Sequence, residues 1–227
     1  MERRAIRSYV VRAGRITAAQ KSGLLSLGPK YTCDLGTVKD VDSLFVMSGP
    51  VHLEIGFGNA DNLIESARLK PNTNHLGCEV HSPGIAQALI SIENYRLRNV
   101  KVVNNDVHDL LVALGEGSLD SVDIFFPDPW PKKKHTKRRL IQAEFLELLA
   151  TKLKRSGVFR FATDNAVYAL EVIELIANIA SWSNLAGEGR WAPRPNQRVL
   201  TRFEGKAKRQ GDRIFEIAAR CVIGEVQ

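Results

Sequence analysis

The chain has 227 residues, of which 44% are hydrophobic and 25% charged, a composition that excludes wholesale disorder and predicts one large domain with at most an appendage. The net charge is +7, and residues 1–30, 132–139 and 190–213 each carry +6, so the rest of the chain carries −11. Three basic segments on an acidic body predict a local positive surface for a polyanion, although a single basic run is usually only solvated.

The cysteines, histidines and apolar segments indicate in which compartment the protein works and whether it binds metals or membranes. Cys33, Cys78 and Cys221 are far apart and form no CxxC pair, which predicts free thiols in a reducing cytoplasm. The five histidines show no metal-ligand spacing with these cysteines, so we expect no metal site. No segment has the length and apolarity of a membrane span, and the first twenty residues lack a secretory apolar core, so we expect no membrane partner.

Residues 1–48 are basic and lack sustained periodicity, which predicts an N-terminal arm with at most short helices before a domain at 49–227. Strand-like apolar runs then alternate with helical periodicity. We predict strands at 51–55, 74–79, 100–103, 121–126, 158–162 and 214–222. Helices are predicted after an Asp61 cap, after Ser82-Pro83, over 141–153 with Gly157 as terminator, and from Asp164 or Asn165 to Ala180. This alternation predicts an α/β fold with a mostly parallel sheet and sites at the carboxyl ends of strands.

A glycine turn, Gly56-Phe57-Gly58, follows the first predicted strand. Glycines let a backbone pass close to a ligand, although a tight strand-to-helix turn would show the same pattern. A dinucleotide site would place a third glycine further on, and a pyrophosphate would sit badly beside Asp61.

Acidic residues stand at the ends of three predicted strands: Glu54, Glu79 and Asp106. A ligand with an ammonium group, a ribose diol and an adenine amine offers donors to all three, as S-adenosylmethionine does, whereas NAD would account only for Glu79. Each acid alone would more often be a loop carboxylate in water. Their recurrence favours the ligand interpretation.

The segment Phe125-Phe126-Pro127-Asp128-Pro129-Trp130-Pro131-Lys132 is the least generic in the chain. Prolines on both sides of Asp128 restrict the backbone, so its carboxylate is held firmly beyond the fourth strand. A fixed carboxylate suits the two donors on the Watson–Crick edge of guanine, and Trp130 offers a face for stacking. A buried tryptophan beside a proline-rich turn is the alternative.

The chain resembles, over nearly its whole length, the TrmB family of bacterial tRNA (guanine-N7)-methyltransferases, which are class I enzymes dependent on S-adenosylmethionine. The resemblance is carried by Arg12-x-Gly14-Arg15-x-Thr17, Glu54-Ile55-Gly56-Phe57-Gly58, Glu79-Val80-His81-Ser82-Pro83-Gly84, the proline segment through Lys137-Arg138-Arg139, Thr163-Asp164, and Thr201-Arg202-Phe203-Glu204. Departures from the family pattern are Ala60, Ala207 and Asp212.

The resemblance implies a Rossmann-like fold with helices on both faces of the sheet and methyl transfer to N7 of guanine 46, in the tRNA variable loop. It implies a catalytic role for Asp128. The implied cofactor contacts are Glu54, Gly56, Gly58, Glu79, Asp106 and Asp128. The implied substrate contacts are Lys132, Asp164, Thr201, Arg202, Phe203 and Glu204.

Two other functions stay open on the sequence. One is a methyltransferase acting on an exocyclic amine, because Asp-Pro-Trp resembles the Asn/Asp-Pro-Pro-aromatic turn of that group. The other is an RNA-binding module that has lost catalysis, against which Glu54, Asp106 and Asp128 argue. The sequence leaves the oligomeric state open, with a monomer as the expectation, and does not define which tRNAs are accepted.

Overall fold

The computed structural model describes residues 8–9, 16–196 and 198–223, and the backbone but not the side chains of Arg202 and Phe203. In these residues seven strands form one sheet in the order β3-β2-β1-β4-β5-β7-β6. The strands are β1 (Val51–Ile55), β2 (Asn74–Cys78), β3 (Val100–Val103), β4 (Leu119–Phe125), β5 (Leu153–Thr163), β6 (Trp182–Asn184) and β7 (Phe215–Cys221). Neighbours among β1 to β5 are parallel, and β7 runs antiparallel to β5 and β6.

Seven α-helices accompany the sheet in the described residues: α1 (Ala18–Tyr31), α2 (Asp61–Leu69), α3 (Ser82–Asn94), α4 (Val107–Ala113), α5 (Ala143–Lys152), α6 (Ala166–Asn178) and α7 (Arg202–Gln210). Two short 3-10 helices cover Val41–Leu44 and Lys133–Arg138. None of the helices described is both long and apolar enough to cross a bilayer.

The core has two parts, one on each face of the sheet. Apolar side chains of α2 and α3 pack with Tyr31 of α1 and with Val100 and Val102 of β3 on one face. Helices α4, α5 and α6 contribute to the larger cluster on the other face, with Phe145 and Tyr168 among its bulkiest members. The predicted α/β architecture with helices on both faces is therefore confirmed.

The N-terminal region differs from the prediction of at most short helices, which is wrong for residues 18–31. Helix α1 has 14 residues and begins with a capping box between Thr17 and Gln20. A Cβ on Gly23 would lie 3.0 Å from the side chain of Ile90, so α1 rests closely on α3. Leu24, Leu27 and Tyr31 of α1 pack against the same cluster, so glycines and a short apolar face together hold the helix on the domain. The division at residue 48 stays a prediction, and Val38, Val41 and Phe45 are already buried in the core.

Several predicted element boundaries also change. Residue Ala60, in the left-handed region, precedes α2 as its N-cap, so Asp61 is the first helical residue. The N-cap of α3 is His81. Helix α5 ends at Lys152, and Gly157 lies inside β5. Asn165 does cap α6, since its side chain accepts from the Tyr168 amide at 2.9 Å.

Candidate active site

A cleft of about 580 Å³ opens where β1, β2 and β4 end. Four of the predicted site residues line it: Gly56, Gly58, Glu79 and Asp128. Parallel strands deliver these residues because their carboxyl ends meet at one edge of the sheet. Ser8 and Tyr9, from the predicted arm, also line the cleft, and no sequence pattern identified them.

The glycine turn brings the backbone into an arrangement that side chains would obstruct. Gly56 and Gly58 have φ of +71° and +55°, in the left-handed region. The start of α3 approaches so closely that a Cβ on Gly84 would lie 2.1 Å from the carbonyl oxygen of Gly58. Ala60, where the family often has glycine, also adopts a left-handed φ of +67°. The turn thus keeps its shape despite this departure.

The Glu79 side chain is oriented by backbone amides. One carboxylate oxygen accepts from the Gly58 amide at 2.9 Å, and the other accepts from Val80 and His81 at 2.7 and 3.0 Å. The residue is 9% exposed. A carboxylate fixed in this way joins the ends of β1 and β2 and presents its remaining lone pairs without reorganising.

Asp106 caps α4, and its neighbours Asn105 and Val107 line the cleft. Its carboxylate accepts from the His108 amide at 2.9 Å. Hydrogen bonds with the side chain and amide of His108, and a further one with Tyr9, lower the pKa of Asp106. Tyr9 therefore connects the described part of the arm to Asp106, the third of the acids predicted at strand ends.

Glu54 is buried near the end of β1, where its carboxylate accepts from the amide nitrogen of Asn62 at 3.0 Å. Ile55 and Gly56, the next two residues, line the cleft. Burial raises the pKa of Glu54 to about 8, and Asp123 adds to the shift while Asn62 opposes it. Contact between Glu54 and a cofactor stays a prediction.

The turn carrying Asp128 is strained at both ends. Phe126 and Trp130 have φ of +52° and +42°, which non-glycine residues rarely adopt. The Phe126 amide donates to the Ala162 carbonyl at 2.8 Å, and the Trp130 indole donates to the Ser8 carbonyl at 3.0 Å. Asp128 itself is exposed in the cleft. The guanidinium of Arg138 lies 5.1 Å from the Trp130 ring, so stacking of that ring on a base stays a prediction.

The predicted substrate residues lie on three segments: the segment after β4, the segment after β5, and the start of α7. Lys132 and Asp164 are exposed. Thr201 caps α7 by accepting from the Glu204 amide at 3.2 Å. The side chains of Arg202 and Phe203 lie outside the described residues, as do residues 1–7 and 10–15 of the arm.

Comparison with known proteins decides the family. A family model described as "Putative methyltransferase" matches residues 48–217. The tRNA (guanine-N(7)-)-methyltransferase of Methylococcus capsulatus is 41% identical over 96% of this chain and 94% of its own length. The corresponding enzyme of Nitrosococcus oceani is 42% identical over 94% of this chain and 90% of its own length.

The chain belongs to the tRNA (guanine-N(7)-)-methyltransferase family. Solved structures agree on the fold. The 16S rRNA methyltransferase KamB has a TM-score of 0.59 at 14% identity, over 94% of this chain and 98% of that one. The aminoglycoside resistance methyltransferase NpmB1 has a TM-score of 0.58 at 15% identity, over 82% and 94%. The predicted class I methyltransferase fold is thereby confirmed.

Membership of the tRNA (guanine-N(7)-)-methyltransferase family implies S-adenosylmethionine as methyl donor, and the cleft suits it. Its wall combines a backbone turn open to close approach with the carboxylates of Glu79 and Asp128, and Asp106 lies beside it. These acceptors match a ligand rich in hydroxyl and amine donors. Among the described residues, no group of three or more histidine, cysteine or acidic side chains is placed to hold a metal ion.

Glu204, a predicted substrate contact, lies in a buried ionic cluster that the sequence did not reveal. It is 0% exposed and accepts from Arg194 at 2.6 Å, with Lys208 at 3.1 Å and Arg198 at 3.3 Å. Burial acts to raise the pKa of Glu204, but hydrogen bonds from Arg194 and Lys208 outweigh it and lower that pKa. Contact of Glu204 with tRNA stays a prediction.

Arg198 connects this cluster to the turn at residues 126–130 that carries Asp128. It pairs with Glu216 of β7 and is 6% exposed, and its guanidinium lies 4.7 Å from the ring of Phe125. Burial raises the pKa of Glu216 to about 7. The start of α7 is therefore attached to the same turn that presents Asp128, and Arg194 and Arg198 are structural members of the basic segment 190–213.

Proposed function

We propose that this protein methylates N7 of guanine 46 in the variable loop of tRNA, with Asp128 as the catalytic residue. The observation that carries the proposal is the exposed Asp128 carboxylate on a restrained turn in the cleft. S-adenosylmethionine supplies the electrophilic methyl group. Glu79, Asp106 and the glycine turn hold the donor, and Glu54 supports them from β1.

Methyl transfer to N7 requires correct positioning of the two reactants more than it requires proton transfer. Guanine N7 carries an in-plane lone pair, so no base has to create the nucleophile. The main contribution is alignment of N7 with the methyl group. A second is electrostatic, because the purine becomes positive as the bond forms and a fixed carboxylate stabilises that charge. Asp128 supplies this charge and accepts hydrogen bonds from the guanine edge.

The RNA-binding surface is formed by the exposed cations that follow the turn carrying Asp128. Lys132, Lys133, Lys134, Lys137 and Arg138 are exposed in one short segment. Cations of this kind hold phosphates and give an affinity that falls with salt. The major groove of A-form RNA hides N7, so a loop guanine is the accessible target, drawn out towards the cleft. Asp164 and Thr201 lie on the substrate side.

The decisive test is methylation of an unmodified tRNA transcript with labelled S-adenosylmethionine, followed by mapping of the product base. We expect one methyl group on N7 of guanine 46, and none on a transcript with adenine at that position. Methylation of an exocyclic amine would overturn the assignment of the atom. A protein that binds tRNA but neither binds S-adenosylmethionine nor transfers a methyl group would be an RNA-binding module instead.

A reducing cytoplasm is the compartment we propose. Cys33, Cys78 and Cys221 are free thiols, two of them buried. We propose a monomer as the working unit. Sedimentation at micromolar concentration tests this, and a stable dimer would refute it.

A further inference from the structure

Arg139 differs from the other cations of the basic run at 132–139. Its five companions are exposed, whereas Arg139 is 3% exposed. Its guanidinium is therefore turned away from the surface on which a phosphate would bind. A buried cation needs internal partners, since desolvation without them is costly.

Those partners include the catalytic turn itself. Nε of Arg139 donates to the carbonyl oxygen of Pro129 at 2.8 Å. Pro129 directly follows Asp128 and precedes Trp130, whose φ is +42°. A strained backbone persists only where its surroundings hold it. The hydrogen bond from Arg139 is a restraint at the point where this turn would otherwise relax.

Helix α6 in turn fixes the position of Arg139. Nη1 pairs with the carboxylate of Glu171, and the guanidinium carbon lies 4.9 Å from the ring centroid of Tyr168. Tyr168 is fully buried, and its hydroxyl accepts from the Ile141 amide at 3.0 Å. Two contacts from one rigid helix therefore determine where the guanidinium lies.

We propose that Arg139, with Glu171 as its counterion, is a positioning residue that holds the Pro129 carbonyl and so directs Asp128 at the guanine, and that it does not bind RNA. The proposal rests on the proposed function, because it concerns the rate of the same methyl transfer. Without this hydrogen bond the turn relaxes and Asp128 is misplaced. Misplacement of a reacting group costs rate and leaves the affinity of distant contacts intact.

The test uses single-turnover methylation of tRNA together with tRNA binding at several salt concentrations. Arg139→Lys keeps the charge but lacks the guanidinium geometry, and we expect its rate constant to fall about 30-fold. We expect Glu171→Gln to lower the rate constant about 5-fold. Both variants should keep the wild-type dissociation constant for tRNA and its salt dependence.

Two further variants serve as comparisons. Glu174→Gln makes the same change at an exposed site on α6 and should leave the rate constant unchanged. Lys133→Ala removes an exposed cation of the same run, and should weaken binding and reduce the slope of log affinity against log salt by about 0.7. Glu174→Gln shows what the loss of a carboxylate from α6 does by itself, and Lys133→Ala shows what the loss of a phosphate contact does. An effect seen in neither variant is therefore due to lost positioning.

Other results would overturn the proposal. If Arg139 bound a phosphate, Arg139→Lys would reach the wild-type rate at saturation, and Glu171→Gln would tighten tRNA binding by removing a repelling charge. A merely structural role would lower the fraction of folded protein, measured by thermal melting, and leave the single-turnover rate constant at saturating enzyme unchanged. Glu171 is partly exposed, so its variant remains informative if Arg139→Lys fails to fold.

A wild-type enzyme that methylates no guanine N7 refutes the proposed function, whereas an active wild type with full-rate variants refutes only the role of Arg139.

Discussion

Asp128 sits between two residues whose backbone conformations are unfavourable, Phe126 and Trp130. Each such conformation costs on the order of 1–3 kcal/mol and is maintained by its surroundings. The contacts come from four sides of the turn: Ala162 on β5, Ser8, Arg139 and Arg198. A carboxylate held by so many neighbours needs little reorganisation when charge develops on the purine.

Replacing Asp128 with asparagine keeps the shape of the side chain and removes its charge. We expect kcat to fall about 100-fold, because one preorganised electrostatic group of this kind typically contributes that much. The dissociation constant for S-adenosylmethionine, measured by calorimetry, should change far less. Asp42→Asn, at an exposed carboxylate of the first 3-10 helix, is the matched control. Near-normal turnover of Asp128→Asn would remove this residue from catalysis.

Gly84 allows α3 to begin against the glycine turn, and Gly84→Ala should therefore disturb both. The added Cβ would meet the Gly58 carbonyl oxygen at 2.1 Å, so the turn must shift. We expect a loss of stability of about 1–3 kcal/mol and weaker binding of S-adenosylmethionine. Gly28→Ala is the control, since a Cβ there meets no atom within 4 Å and alanine favours a helix. Thermal melting with and without the cofactor measures both effects, and an unchanged Gly84→Ala contradicts the argument.

Among the elements, the sequence predicts those whose apolar pattern is set by burial in the sheet. Strands β1 to β5 appear as apolar runs because both faces of a parallel sheet are covered. Helix α7 was missed although Thr201 and Glu204 have capping-box spacing, because its segment is strongly charged. Helix α4 was missed because it has only seven residues. Helix α1 has only a short apolar face, Leu24, Leu27 and Tyr31, interrupted by glycines and polar residues, and it packs on α3.

Much of the site could be predicted for the same topological reason. Glu79, Asp106 and Asp128 follow strands, so their meeting at one edge follows from the parallel order. The roles of Arg139 and Arg198 could not be predicted. A basic run has the same composition whether its side chains are solvated or buried, and the deciding partners, Glu171 and Glu216, lie 32 and 18 residues away.

The positive charge of the N-terminal arm is expected to strengthen tRNA binding whatever the fold of the arm. Residues 1–15 contain Arg3, Arg4, Arg7, Arg12 and Arg15. Changing all five to glutamine should raise KM for tRNA and flatten its salt dependence, while the melting temperature and cofactor affinity stay unchanged. Substitution is preferable to deletion, because deletion would also remove Ser8 and Tyr9 from the cleft. Weakened cofactor binding in the substituted protein would count against a purely electrostatic role.

At the scale of the whole molecule, titratable groups buried on the α2 side of the sheet and near the start of β7 make stability depend on pH. Burial raises the pKa of Glu54 to about 8, of Glu216 to about 7 and of Asp123 to about 6. Burial lowers the pKa of His52 and of His75 to about 3. At neutral pH the folded chain therefore binds more protons at its carboxyl groups than the unfolded chain does. In acid the unfolded chain binds more protons at its histidines than the folded chain does.

Between about pH 4.5 and pH 6.5 the two kinds of shift oppose each other, because the folded chain binds more protons at the buried carboxyls and the unfolded chain binds more at the histidines. Below about pH 4.5 the two glutamates are protonated in both states, so the excess of histidine protons in the unfolded chain dominates and acid destabilises the fold. Above about pH 6.5 the histidines are mostly neutral in both states and the folded chain binds more protons at Glu54 and Glu216, so stability of the ligand-free protein falls up to about pH 8.

Glu54→Gln tests this directly, because glutamine does not titrate. We expect the variant to lose on the order of 1 kcal/mol less stability than the wild type between pH 6.5 and pH 8, as measured by denaturant unfolding. Glu147→Gln, at an exposed carboxylate of α5, should keep the wild-type slope. A Glu54→Gln slope equal to that of the wild type would mean that Glu54 is ionised in the folded protein.

The position of β7 has a consequence for how the protein is made. It is the last of the described strands in sequence, yet it lies between β5 and β6. During synthesis, β1 to β5 can pair as they leave the ribosome, whereas β6 must wait for its neighbour. Glu216 arrives with β7, so Arg198, already within reach of Glu204, gains this second partner only when β7 joins the sheet. We expect the nascent chain to form its methyl-donor cleft first and to anchor α7 beside that cleft last.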